Sequence, residues 1–258
     1  MNRLPELSYF FPAHNEEGNL EGLVAEALEA LPALAERFEI VIVDDGSRDA
    51  TPAMADALAA AHPEVRAVHH PTNLGYGAAL RTGFAAAHFG VLGFTDGDRQ
   101  FRVADLGRLL EVLERPGSGT GSASEAPDVV VGYRLRRADP LLRTVYARLY
   151  RLANLVLFGL RVRDVDCACK VFRRSALEGI AVESSGAFFS AELLVKLRAA
   201  GHRIAEVGVP HYPRVAGRPT GAKPSVILRA VRDFWSLRLR LWASPRTALR
   251  RGSPILGA

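Results

Sequence analysis

Cysteine, methionine and tryptophan are scarce in this 258-residue chain, with two of each, and three lysines stand against thirty arginines. Two cysteines cannot build a disulfide framework, so the composition points to a reducing compartment. Nowhere do about 18 apolar residues follow one another without an Arg or Asp, so no membrane-spanning helix is expected. The start, MNRLPELSYFFPAHNEE, lacks the apolar core of a signal peptide. No G-x-x-x-x-G-K-[ST], G-x-S-x-G or H-E-x-x-H occurs, which argues against P-loop, hydrolase and zincin chemistry.

Hydrophobic residues make up 48% and charged residues 24%, enough to bury one full-sized core and too apolar for a disordered chain. The net charge of +5 conceals two unlike halves. Residues 1–133 hold 9 Lys+Arg against 20 Asp+Glu, a balance of −11, whereas residues 134–258 hold 24 against 8, a balance of +16. The halves face different partners.

Four strand-like runs, LSYFF (7–11), EIVIVD (39–44), VRAVHH (65–70) and VLGFTD (91–96), alternate with Ala/Leu/Glu-rich segments of helical composition. This βαβ pattern predicts a mostly parallel twisted sheet covered by helices on both faces, with ligands at the carboxyl ends of its strands. Asp49 or Thr51 caps the second helix, with Pro52 in its first turn. A helix over Val103–Leu113 leads into the low-complexity stretch 115–128, read as a flexible loop, and a fifth strand, DVVVGY (128–133), follows. Two later segments, 140–160 and 225–242, suit amphipathic helices. In the first, Arg143, Arg148, Arg151 and Asn154 share an arc of about 140°.

The second strand ends in DDGSRDAT, from Asp44 to Thr51. Adjacent carboxylates, a Gly for a tight turn and small hydroxyls suit contact with a ribose or base, though a plain βα turn with a helix cap uses the same residues. The fourth strand ends in TDGDRQ. Carboxylates spaced D-x-D at a strand end, Asp96 and Asp98, can hold one hard divalent cation that keeps positions open for diphosphate oxygens. NLGYGAALRTGF (73–84) carries Gly75 and Gly77 near a helix start but lacks the third Gly of a dinucleotide fingerprint. The histidines, His69 and His70 among them, read as surface or strand residues, and Cys167 and Cys169 as apolar-like thiols on a strand.

Together FPAHNEE, DDGSRDAT, NLGYGAALRTGF, TDGDRQ and DVDCACKVFRR resemble family 2 glycosyltransferases of the GT-A fold, and most of all the polyprenyl-phosphate sugar transferases of the dolichyl-phosphate mannose synthase group. The resemblance runs from about residue 7 to 235. It implies that Pro12, Ala13, Asn15, Glu16, Asp44, Asp45, Gly46, Asn73, Gly75 and Asp96 hold the nucleotide sugar, and that Asp96, Asp98 and Gln100 bind Mg²⁺ or Mn²⁺ and diphosphate. Asp98, Arg134, Arg143, Arg214 and Glu192 are the implied catalytic set, the arginines meeting phosphates through their planar fork of donors. A helix-surface role is the alternative for Glu192. The implied division is a catalytic domain over 1–222 (donor half 1–114, loop 115–128, acceptor half 129–222) and a basic amphipathic helix and tail over 223–258.

The implied reaction moves one hexose, from a donor of the GDP-mannose or UDP-glucose type, to a polyprenyl phosphate with inversion. The implied setting is the cytoplasmic face of an anionic membrane, reached through the amphipathic helices or a separate integral membrane protein. Two departures stand out: Ala168 and Cys169 replace the Gly and Phe usual after Asp-x-x-Cys/Ser, and the Q-x-x-R-W of processive enzymes is absent, which disfavours a polymer synthase. A soluble acceptor would need a base, Asp166 or Glu192. A non-catalytic adaptor would use the basic half as a patch, but its basic segments interleave with motif acids and aliphatic faces rather than with aromatics suited to stacking bases, so nucleic acid is not an expected partner.

Overall fold

The structure, a computed structural model, describes residues 3–115, 126–135, 141–216, 224–243 and 252–256, with backbone alone for 141–148 and 224–229. Arg143 therefore lies outside the described side chains, as does most of the 115–128 loop. The elements run β1 (Leu4–Ala13), α1 (Leu20–Leu34), β2 (Ala35–Asp44), α2 (Thr51–Ala61), β3 (Val65–His69), α3 (Tyr76–Ala86) and β4 (Val91–Phe94). A 3-10 turn at Val103–Asp105 opens α4 (Leu106–Glu114), and then come β5 (Val129–Arg134), α5 (Leu141–Phe158), β6 (Lys170–Arg173) and α6 (Arg174–Leu177). The chain continues through β7 (Ala181–Val182), α7 (Phe189–Ala199), β8 (Ile204–Val209), α8 (Pro224–Ala243) and β9 (Ser253–Pro254).

Seven strands form one sheet in the order β3-β2-β1-β4-β6-β5-β8. β6 alone runs antiparallel to its neighbours, between β4 and β5. It belongs to the basic half of the sequence and is inserted between two strands of the acidic half, so both halves share one sheet. Alternation along the strands sends side chains to opposite faces. Phe94 and Phe172 turn toward α3, where Phe84 meets Phe10 at 4.8 Å and Phe172 at 5.1 Å between ring centres. Such edge contacts add about 0.5–1.5 kcal/mol each beyond the area they bury. On the other face Leu106 of α4 packs over Gly93 and Val171. Gly83 lets α3 lie directly on the strand, since any Cβ there would overlap the Phe10 ring.

The parallel register brings Ala13 beside Asp44 and Asp44 beside His69, so the loops after β1, β2, β3 and β4 gather on one edge of the sheet. At the opposite end of the chain, Phe234 of α8 is buried among Phe158 (4.9 Å), Phe188 (5.8 Å) and Tyr150 (6.4 Å).

Three expectations change. Cys167 and Cys169 are not on a strand: they lie in the irregular segment before β6, buried and unbonded to each other. Asn154, expected on the polar arc of α5, is buried at 1% exposure. It donates to the Tyr150 carbonyl one turn back at 2.9 Å, and its own carbonyl accepts the Leu160 amide where Gly159, at φ +65°, ends the helix. Leu149, Leu152, Leu155 and Val156 face outward instead. The first turn of α2 is also built differently: Asp49 accepts the Thr51 amide at 3.0 Å, while the Thr51 hydroxyl is turned to the loop after β1 and accepts the Glu16 amide at 2.9 Å.

Candidate active site at the carboxyl edge of the sheet

Asn15 and Arg99 are the non-glycine residues with positive φ among the described residues, and both sit in these edge loops. That conformation costs about 1–3 kcal/mol for a residue with a Cβ, so the surroundings must impose it. For Asn15 they do: its amide donates to the Ser47 hydroxyl at 2.9 Å and its side-chain oxygen accepts the Arg48 amide at 2.8 Å. The loop after β1 is thereby laced to the loop after β2.

Asp44 and Asp45 are both buried, and each is backed by a histidine from the end of β3. His69 bonds Asp44 at 2.9 Å and also reaches Asp56; His70 bonds Asp45 at 2.7 Å and reaches the Thr82 hydroxyl at 2.8 Å. Burial works against the Asp44 charge, but the Ser47 and His69 hydrogen bonds outweigh it and hold the carboxyl below its ordinary range. The same bond lifts His69 above the usual histidine value. The Asp45 carboxylate also accepts the Leu74 amide at 2.8 Å and the Gly75 amide at 2.9 Å. It thus fixes the loop that carries Asn73, which is exposed, and Gly75, whose φ of +100° a side chain would strain. Gly46, at φ +63°, lies so close to the Thr72–Asn73 backbone that a Cβ would overlap it.

The D-x-D turn packs on the first strand. A Cβ at Gly97, between the two acids, would stand 2.6 Å from the Pro12 carbonyl, so a small residue is required there. Asp96 accepts the Tyr76 hydroxyl at 2.8 Å. Burial, and then the neighbouring Asp98 charge, push its carboxyl up to about 6. Asp98 is 5% exposed; one oxygen accepts the Gln100 amide at 3.1 Å and the other meets the Arg214 guanidinium at 2.5 Å. The Gln100 side chain is turned to the Tyr212 carbonyl at 3.3 Å. Glu16 stands on the far side of Arg214 at 3.7 Å, pushed up chiefly by burial.

Two mutually repelling carboxylates at a strand end suit a hard divalent ion, and the cation beside them here is a guanidinium. Among the described residues no group of three or more His, Cys, Asp and Glu could hold a metal by itself. Asp96 and Asp98 could supply two carboxylate ligands to such an ion, leaving positions for diphosphate oxygens and water.

Arg134 lies at the end of β5, where Asp164 grips it bidentately at 2.7 and 2.8 Å. Burial opposes the guanidinium charge, yet the Asp164 pair more than compensates and raises its value. Three of its five N–H donors point elsewhere. Lys170, fully buried, reaches the Cys167 carbonyl and lies 5.4 Å from the Phe94 ring centre; burial lowers its value. Asp166 is exposed, close enough to add its field at Tyr76, Lys170 and Arg134.

Glu192 stands apart. It is neither on the helix surface nor among these groups: 3% exposed, it accepts the Glu183 and Ser184 amides at 2.9 Å each and pairs with buried Lys196 at 2.8 Å. Tyr76, His69, His70, Arg99 and Asp164 are the supporting residues that motif reading passed over. The histidines had a usable signal, a His pair ending the strand after the one that ends in an Asp pair.

The family model for glycosyl transferase family 2 matches residues 8–181. The chain is 34% identical over 248 residues to glycosyltransferase AglD of Haloferax volcanii, covering 92% of this chain and 37% of that protein. To polyprenol monophosphomannose synthase of Mycolicibacterium smegmatis it is 29% identical over 239 residues, 89% of this chain and 86% of that one. Dodecaprenyl-phosphate galacturonate synthase of Rhizobium johnstonii is 28% identical over 216 residues, 82% and 60% of the two chains. The chain thus spans most of the mannose synthase but only part of the other two. Among solved structures, glucosyl-3-phosphoglycerate synthase from Mycobacterium tuberculosis in complex with Mn²⁺, UDP and glucosyl-3-phosphoglycerate shares the fold, with a TM-score of 0.67 at 20% identity over 90% of this chain and 79% of that one. The mostly parallel GT-A architecture and the motif resemblance both hold. Since the match runs from β1 to β7 and takes in both acid pairs, the chain belongs to glycosyl transferase family 2 and is a glycosyltransferase.

Proposed function

We propose that this enzyme transfers one hexose, from a nucleoside diphosphate sugar of the GDP-mannose or UDP-glucose type, to a polyprenyl phosphate at the cytoplasmic face of an anionic membrane, with inversion at the anomeric carbon. The observation that carries the reading is the Asp96–Asp98 pair, half-buried at Asp96 and buried at Asp98, repelling across Gly97 and balanced by Lys170 and Arg214. Mg²⁺ or Mn²⁺, when bound there, supplies Lewis-acid stabilisation of the leaving diphosphate. The loops carrying Asn15, Asp44 and Gly75 hold the nucleotide on the same edge. Arg134, oriented by Asp164, presents its free N–H groups to the acceptor phosphate.

A phosphate acceptor is ionised near neutral pH, so in-line attack needs positioning and charge stabilisation more than a general base. Glu192, one of the two bases a hydroxyl acceptor would call on, is spent on backbone amides and Lys196, which supports the phosphate over a sugar hydroxyl. The similarity to polyprenol monophosphomannose synthase supports the lipid in particular.

The outer surface fits that acceptor. Val231, Trp235, Leu239 and Trp242 recur every three or four residues on the exposed side of α8, and Leu149, Leu152 and the neighbours Leu155 and Val156 are exposed on α5. No described helix is long and apolar enough to cross a membrane. Tryptophans and leucines flanked by arginines suit a helix lying in the lipid interface, where the surface charge of the +16 half meets anionic headgroups.

A panel of GDP-, UDP- and dTDP-sugars, with and without short-chain polyprenyl phosphate and read by nucleotide release, tests the proposal. Release that requires the lipid phosphate is expected; no release with any pair would sink it.

A further inference from the structure

Arg214 occupies the position where the D-x-D acids most need positive charge. Its guanidinium takes one oxygen of Asp98 at 2.5 Å, while the other oxygen is held by the Gln100 amide. The segment that presents Arg214 is fastened on both sides of it. The Tyr212 amide donates to the Gln100 carbonyl at 2.9 Å, and the Asn19 side chain donates to the Ala216 carbonyl at 3.3 Å. The Tyr212 ring lies 4.6 Å beneath the Arg102 guanidinium, and the His211 ring packs on Phe101 at 5.2 Å. Arg214 is thus aimed at Asp98 by a clamped stretch of backbone, and its side chain remains one-quarter exposed.

A divalent ion on Asp98 would share a carboxylate that already accepts the Gln100 amide on one oxygen and the Arg214 guanidinium on the other. Adding a +2 charge beside the guanidinium also replaces an attraction by a repulsion, and at short range in a partly buried site neither effect is screened away. The two cations compete for one carboxylate charge.

Resting on the metal-dependent reading above, we propose that Arg214 is a placeholder cation. It neutralises Asp98 while the donor site is empty and gives up the carboxylate when the ion arrives with the nucleotide. The released guanidinium, still flanked by Glu16 at 3.7 Å, then turns the N–H groups that held Asp98 to phosphate oxygens. An arginine that is tied to a carboxylate has fewer donors for a phosphate, so the share of Arg214 in holding the acceptor phosphate, beside Arg134, follows donor binding. The order of substrate binding is thereby built into one side chain.

The test is Mn²⁺ binding to the full chain in the absence of nucleotide, followed by the loss of the free-ion electron paramagnetic resonance signal. Arg214→Gln keeps the side-chain bulk and removes the competitor charge; it is expected to bind Mn²⁺ about fivefold more tightly than the wild type, the size of a partly exposed ion pair. Arg214→Lys keeps the charge and should stay near the wild-type affinity, a difference that a purely structural role would not produce. Equal or weaker Mn²⁺ binding by Arg214→Gln, with wild-type binding intact, would overturn the placeholder role alone. Absence of Mn²⁺ binding in all three proteins, even with UDP added, would overturn it together with the metal-dependent reading.

Discussion

Replacing Asp96 by Asn should make the ligand-free enzyme more stable while abolishing transfer. Burial and the Asp98 charge raise the Asp96 carboxyl from 3.8 to about 6, so at neutral pH the native state carries a carboxylate it would rather protonate. Roughly two pKa units correspond to about 3 kcal/mol as an upper bound, and solvent at the mouth of the site brings the expected gain to about 1–3 kcal/mol. Asn retains an oxygen for the Tyr76 hydroxyl, so that contact survives. The sign of the pH dependence follows from the raised value. Between the unfolded and folded pKa the native wild type binds more protons than the unfolded chain, so its stability rises as pH falls through about 6 toward about 4. The advantage of Asp96→Asn is therefore full near pH 7.5 and fades across that window. Urea denaturation in EDTA near pH 7.5 and near pH 5 measures it. A variant less stable at both values, or a gap that does not change with pH, would refute the account of the acid pair.

Asp45→Asn should leave at least one of the Leu74 and Gly75 amides without its charged acceptor and cost about 2–4 kcal/mol, seen as a lower urea midpoint, with weaker nucleotide binding by calorimetry. Asp164→Asn breaks the bidentate grip on Arg134, so KM for the polyprenyl phosphate should rise about tenfold with little change in nucleotide affinity, as steady-state kinetics would reveal. Changing Trp235 and Trp242 together to Ser should lower the fraction that pellets with anionic liposomes and leave the melting temperature within a few degrees, since both rings are exposed.

The first five strands were legible because each is an apolar run bounded by turn residues, and the D-x-D acids because they close one of those runs. β6 was placed a few residues early, on Cys167 and Cys169: the four residues Lys170–Arg173, entered from an irregular segment, carry too little pattern to fix where the strand begins. The wheel of α5 put Arg151 and Asn154 on one polar arc, yet Arg151 is exposed and Asn154 buried, because a wheel does not say where the rest of the protein covers the helix. Asn154 went inward with its side-chain N–H on the Tyr150 carbonyl, and the leucines were left outside. The same limit applies to the site. Asp44 and Asp45 were visible as a pair, whereas their histidine backing depends on the β2–β3 register that sets Asp44 beside His69. The grip of Asp164 on Arg134 spans thirty residues and no local pattern announces it. Glu192 read as a helix-surface or catalytic acid because its spacing on α7 does not disclose the two amides that bury it.

The central claim is that the sugar ends on a lipid phosphate. Incubating the full chain with Mg²⁺, the preferred nucleotide sugar and a short polyprenyl phosphate, then analysing the organic phase by mass spectrometry, tests it most directly. The account predicts a new lipid heavier than the acceptor by one hexosyl residue, absent with Asp98→Ala. Nucleotide released while the lipid phosphate is recovered unchanged would contradict it.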